Sequence, residues 1–91
     1  MDTRDGYLSV GATSVGVPLD GINPRRLFLT VETAAIRFRY DGHEADGAIG
    51  GGHLASDGDS VTIDGAINIK AFRMIRDTST NADVYYTIEV M

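Results

Sequence analysis

Apolar and polar residues alternate with a period of two along much of this chain. Leu27, Leu29 and Val31 are interleaved with Arg26, Phe28, Thr30 and Glu32, and Ile36, Phe38 and Tyr40 with Arg37 and Arg39. Successive side chains of an extended strand point to opposite faces, so each run predicts a strand with one buried and one exposed face. Val84, Tyr86, Ile88 and Val90 alternate with Tyr85, Thr87 and Glu89 in the clearest run of all. Val61 and Ile63 predict a short strand, and Ile67 and Ile69 begin another. The glycine-free stretch from Ala71 to Arg76 fits a strand or one helical turn, and a strand is expected. Tyr7 to Val10 and Ser14 to Leu19 read as two looser strands separated by Gly11. No window carries a sustained helical repeat.

The breaks between these runs have a common chemistry. Asp5-Gly6, Asp20-Gly21, Asp41-Gly42, Asp57-Gly58 and Asp64-Gly65 punctuate the chain, and Asp-Gly favours turns because Asp tolerates, and Gly freely adopts, positive φ. One boundary lacks such a pair. The apolar positions are odd-numbered up to Val31 and even-numbered from Ile36, so the parity breaks between Glu32 and Ala35. Thr33-Ala34 is poor chemistry for a two-residue hairpin, and a bulge or corner carrying the chain between two sheets fits better. A tight turn would instead make the two strands neighbours, with Glu32 diagonal to Arg37 and Phe28 opposite Arg39.

The fold class expected is therefore all-β, a small single-domain β-sandwich or barrel of about seven to eight short strands. It spans residues 1–91, with residues 1–25 a looser N-terminal arm or edge strands. At 91 residues there is room for one core, and a chain this size buries only about 60–65% of its unfolded surface. A domain so small often gains stability by binding copies of itself.

Composition narrows the chemistry. There is no cysteine, hence no disulfide framework, thiol nucleophile or cysteine-bound zinc. The net charge of −5 argues against a nucleic-acid partner, which wants a basic patch to displace counterions from phosphate. No apolar run approaches the roughly 20 residues needed to span a bilayer, and Met1 to Gly6 do not read as a secretory leader. A soluble protein made in a cytosol is expected. Seven of the eight basic residues are Arg, the cation favoured at protein interfaces.

The densest polar cluster is Asp41, His43, Glu44, Asp46 and His53, beside Gly47 and the triplet Gly50-Gly51-Gly52. Two imidazoles and three carboxylates could ligate a metal or supply a general base, but the spacing matches no metal motif, and a solvated loop explains it better. The glycine triplet lacks the following helix, Lys and Ser/Thr of a phosphate-binding loop. Asp57, Asp59 and Asp64 lack the calcium-loop spacing and read as turn residues. No serine sits in a nucleophile elbow. No catalytic residue, metal site or cofactor is expected, and the chain is not expected to be an enzyme. Tyr85 and Tyr86 are adjacent, so one should face the core and the other outward, where it would join Phe28 in an exposed aromatic patch suited to a sugar or a protein partner.

The run Thr30-Val31-Glu32-Thr33-Ala34-Ala35-Ile36-Arg37-Phe38-Arg39-Tyr40-Asp41-Gly42 resembles small accessory proteins encoded among the head and structural genes of tailed bacteriophages. The likeness continues through Gly52-His53-Leu54, Gly58-Asp59, Asn68-Ile69, Phe72-Arg73-Met74-Ile75-Arg76 and Tyr85-Tyr86, covering residues 26 to 88. The resemblance implies a virion component made in the host cytoplasm, a capsid decoration or cement protein on the outside of the shell. It also implies the major capsid protein or another virion protein as partner. A homo-oligomer is expected, a trimer among the options, with Phe28, Arg37, Arg39 and Tyr85 as interface residues and neither nucleic acid nor membrane as partner. The alternative is a receptor- or carbohydrate-binding β-module of a phage tail or fibre.

Overall fold

The computed structural model describes residues 2–41 and 52–90. Over these residues the chain forms β1 (Asp2–Val10), β2 (Pro24–Glu32), β3 (Ile36–Arg39), β4 (His53–Ala55), β5 (Ser60–Asp64), α1 (Ala66–Ala71), β6 (Arg73–Arg76) and β7 (Ala82–Val90). The strands make two antiparallel sheets, one of four in the order β1-β7-β2-β5 and one of three in the order β4-β3-β6. The all-β expectation holds. The predicted alternation is visible directly in burial, since Leu27, Leu29 and Val31 of β2 are fully buried while Arg26, Phe28 and Glu32 are exposed.

One core serves both sheets. Leu27, Leu29, Val31, Ile63, Val84 and Ile88 from the four-stranded sheet share a single cluster with Ile36, Phe38, Ala55 and Met74 from the three-stranded one. Apolar inner faces gathered in one cluster are the usual basis of a two-layer fold, because neither sheet can shield its apolar face alone.

The parity break is the corner at which the chain changes sheets. β2 lies between β7 and β5, and β3 lies between β4 and β6, so the two consecutive strands do not pair. Thr33 carries the change with a φ of 75°, a left-handed conformation unusual for a β-branched residue. Its backbone N–H donates to Asp57 Oδ1 at 3.1 Å and its hydroxyl to Asp83 Oδ2 at 2.5 Å. These two bonds hold the corner against its strain.

Four local expectations change. Asp5-Gly6 is not a turn but lies within β1, paired with β7 through Gly6 and Tyr86. A side chain at Gly6 would fall on the ring of Tyr86, so glycine is needed there for close approach and not for a bend. Ser14 to Leu19 is no strand. It makes one bridge, Val15 to Met74, with backbone bonds of 2.9 and 2.8 Å that cover the outer edge of β6. Ile67 and Ile69 lie on α1, so the alternation that predicted a strand there misled. Ala71 closes that helix, and only Arg73–Arg76 of the predicted strand is extended. In contrast, Asp20-Gly21, Asp57-Gly58 and Asp64-Gly65 all place glycine at positive φ, as expected.

Candidate interaction faces

Strand pairing places the outward residues of the four-stranded sheet in a row. Tyr7 lies opposite Tyr85 across β1 and β7, and their rings sit 5.1 Å apart at 51°. On the other flank of β7, Thr30 lies opposite Tyr85 and Phe28 opposite Thr87, which makes Phe28 and Tyr85 diagonal neighbours on one face. Tyr7, Phe28 and Tyr85 are each about half exposed, at 49%, 43% and 52%. Adjacent aromatics on diagonal and opposite positions can touch one ligand at once. Between Phe28 and Tyr85 lies a shallow depression of about 270 Å³ whose polar lining is Asp5, Thr30 and Thr87.

Hydrogen bonds across the same face fix this platform. The Tyr7 hydroxyl donates to Asp83 Oδ1, and Thr87 Oγ1 donates to Asp5 Oδ1 at 2.7 Å. Donation from Thr33 and then from Tyr7 holds the Asp83 carboxyl below its ordinary value, while the neighbouring carboxylate pushes the Tyr7 phenol up. At the rim Arg26 Nε meets Asp64 Oδ1 at 2.7 Å, with Glu89 Oε2 at 3.9 Å. The Asp64 hydrogen bond and charge, with Glu89 behind it, raise the Arg26 pKa. Asp5, Glu32, Asp64, Asp83 and Glu89 give this face an acidic border, against Arg26 as its cation among the described residues.

The four residues expected at an interface divide between the two sheets. Phe28 and Tyr85 are brought together as expected, and the sequence reading missed Tyr7 and Asp83, which complete the platform. Their signal was present, since Tyr7 and Val10 differ in parity, so that a strand burying Val10 must expose Tyr7. Arg37 and Arg39 instead occupy the outer side of the three-stranded sheet, where Arg37 lies opposite Leu54 and Ile75. Neither meets the neighbours that a β2–β3 hairpin would give. Arg37 Nε bonds Asp77 Oδ1 at 2.8 Å, its Nη1 reaches the Gly52 carbonyl at 3.4 Å, and its side chain is only 16% exposed. Arg39 is paired with Asp41, whose hydrogen bond raises the Arg39 pKa. Arg37 thus braces its own sheet, and Arg39 is held by a carboxylate two residues further along the chain.

His53 stands on β4 with its ring 5.3 Å from Phe38 and 5.9 Å from Tyr40, the latter stacked at 19°. The rest of the polar cluster, His43, Glu44 and Asp46 with Gly47, Gly50 and Gly51, lies outside the described residues. Among the described residues no three His, Asp or Glu side chains converge as metal ligands, and no helix is long and apolar enough to cross a membrane. Comparison with protein-family models, curated proteins and solved structures finds no match to the chain.

Proposed function

We propose that the chain is a non-catalytic structural module of a tailed-phage particle. It docks on a capsid or other virion protein through the outer face of its four-stranded sheet. The observation that carries this reading is the platform of Tyr7, Tyr85 and Phe28, three half-exposed aromatics held side by side on a regular sheet. Aromatic residues clustered at the centre of a patch with charges at its rim match the anatomy of a protein interface. The likeness of residues 26 to 88 to phage accessory proteins supplies the particle as the setting. Of the residues expected at an interface, Phe28 and Tyr85 belong to this platform, Tyr7 joins them, and Arg37 and Arg39 lie on the other sheet.

A second reading has its own support. The depression between Phe28 and Tyr85 combines stacking rings with the hydroxyls of Thr30 and Thr87 and the carboxylate of Asp5, a set that can hold a sugar ring. Replacing Phe28 and Tyr85 together with Ala discriminates. Both side chains point away from the core, so the circular dichroism spectrum and thermal midpoint should stay near wild type. Co-sedimentation with particles that lack the protein should weaken about 100-fold or more, as for the loss of two hot-spot aromatics. Undiminished binding to particles by the double variant would remove this face from the docking role. Binding of wild type to immobilised glycans, lost in the same variant and absent for particles, would favour the sugar reading.

A further inference from the structure

The structure leaves one long strand edge without cover. β4 and β5 are edge strands of three and five residues, and the outer edge of β6 is bridged by Val15. β1 is different. It runs for nine residues, pairs with β7 without any register shift, and has no strand on its other side among the described residues. Natural edges are blunted by charged side chains, proline, bulges or brevity, and Asp2–Val10 is long, has no proline and no bulge, and its charges, Asp2, Arg4 and Asp5, are of mixed sign. Nor do its outward side chains shield it. The Asp5 carboxylate takes its bond from Thr87 and the Tyr7 hydroxyl gives its bond to Asp83, so both lean inward over β7.

We propose that β1 pairs antiparallel with β1 of a second copy, fusing two four-stranded sheets into one of eight strands. The sequence of the strand selects the partner and the register. A two-fold axis perpendicular to the sheet keeps inner and outer faces matched, so residues of like parity must lie opposite one another. Gly6 is the midpoint of Asp2–Val10. Pairing about Gly6 engages all nine residues and sets Thr3 against the partner's Ser9, Arg4 against the partner's Leu8, and Asp5 against the partner's Tyr7. No like charges are directly opposed. Centring on Arg4 or Asp5 would oppose two arginines or two aspartates, at a cost to the pairing. Centring on Tyr7 would leave Asp2 and Thr3 without partners. The same axis sets the two aromatic platforms on one side of the enlarged sheet, in line with each other. The pairing uses backbone groups of β1 and does not depend on what the platform binds.

Because the chain has no cysteine, a crosslink can read the register. In sedimentation equilibrium the wild-type protein should show a concentration-dependent mass rising from 9.8 kDa toward twice that value. The variant Thr3→Cys with Ser9→Cys should form interchain disulfides on mild oxidation, and Thr3→Cys alone should form far fewer. Phe28→Ala with Tyr85→Ala should leave the dimer intact, which separates this pairing from platform docking. A mass that stays at 9.8 kDa up to about millimolar concentration would overturn the proposal. So would a dimer in which the double-cysteine variant crosslinks no better than the single one.

Discussion

Asp83 is a residue on which three distant parts of the chain converge. From the outer side of β7 it accepts the Tyr7 hydroxyl of β1 and the Thr33 hydroxyl of the corner after β2. It therefore ties an edge strand and a strained turn to the strand between them. A carboxylate that accepts two hydroxyl donors is favoured in its charged form, which is why its pKa lies below the ordinary carboxylate value, with Thr33 the larger cause. The sign of the pH dependence follows. Its contribution to stability is complete above the unfolded carboxylate pKa of about 3.9, and is lost as the pH falls through the lower folded value. In a carbon-detected NMR titration, Thr33→Ala should raise the Asp83 pKa toward the unfolded value, and Tyr7→Phe should raise it less. Asp83→Asn should flatten the acid limb of the stability curve. An Asp83 titration that neither variant moves would mean that these hydroxyls do not hold it.

At the scale of elements the instructive case is α1. Alternating Ile67 and Ile69 are compatible with a strand, but six residues after a glycine at φ 91° wind instead into a short helix that links an edge of one sheet to an edge of the other. A helix turns about 200° between such positions, so Ile69 is 1% exposed and Ile67 84%. Ile69→Ala should cost about 2–4 kcal/mol in denaturant melts, and Ile67→Ala less than about 0.5 kcal/mol. Equal costs would indicate a strand. The same comparison shows what sequence can and cannot convey. Where a run is long enough to show its parity, as in β2 and β7, both the element and its buried face were readable from alternation. The change of sheet at Thr33 was readable too, because a parity break is a local event. Which strands pair is not local. That Tyr7 meets Tyr85, and that Arg37 meets Asp77 and not Glu32, depends on contacts between residues 40 or more positions apart. Two isoleucines are likewise too few to distinguish a period of 2 from one of 3.6. The aromatic half of the candidate site was therefore visible in part, and for the arginine half the outward face was readable while its neighbours were not.

At the scale of the molecule the decisive feature is that β7 lies between β1 and β2. Asp2 pairs with Val90 and Val10 with Ala82, while Leu27 pairs with Ile88, so the four-stranded sheet is built from pairings across most of the chain. Pairings of this kind require closure of long loops before any contact rewards it, which places folding in the millisecond-to-second range of non-local β topologies. The arrangement also suggests how to alter that rate. β1 and β7 are antiparallel neighbours with the start of one beside the end of the other, so a short Gly/Asn loop joining them would turn the most distant pairing into a hairpin. New ends can be opened between Thr78 and Ser79, which are exposed in the connection from β6 to β7. In the permuted order β7 precedes β1 and β2, so the β1–β7 pairing becomes a local hairpin and the β2–β7 pairing, though still long-range, spans a shorter stretch of chain. The separation of β6 from β3 is unchanged, because both lie before the new cut. Refolding of the permutant, followed by stopped-flow tyrosine fluorescence, should be about tenfold or more faster than wild type, with unfolding less affected. A permutant that folds at the wild-type rate would show that the β1–β7 and β2–β7 closures do not limit folding, and one that cannot fold would place the strand order itself in error.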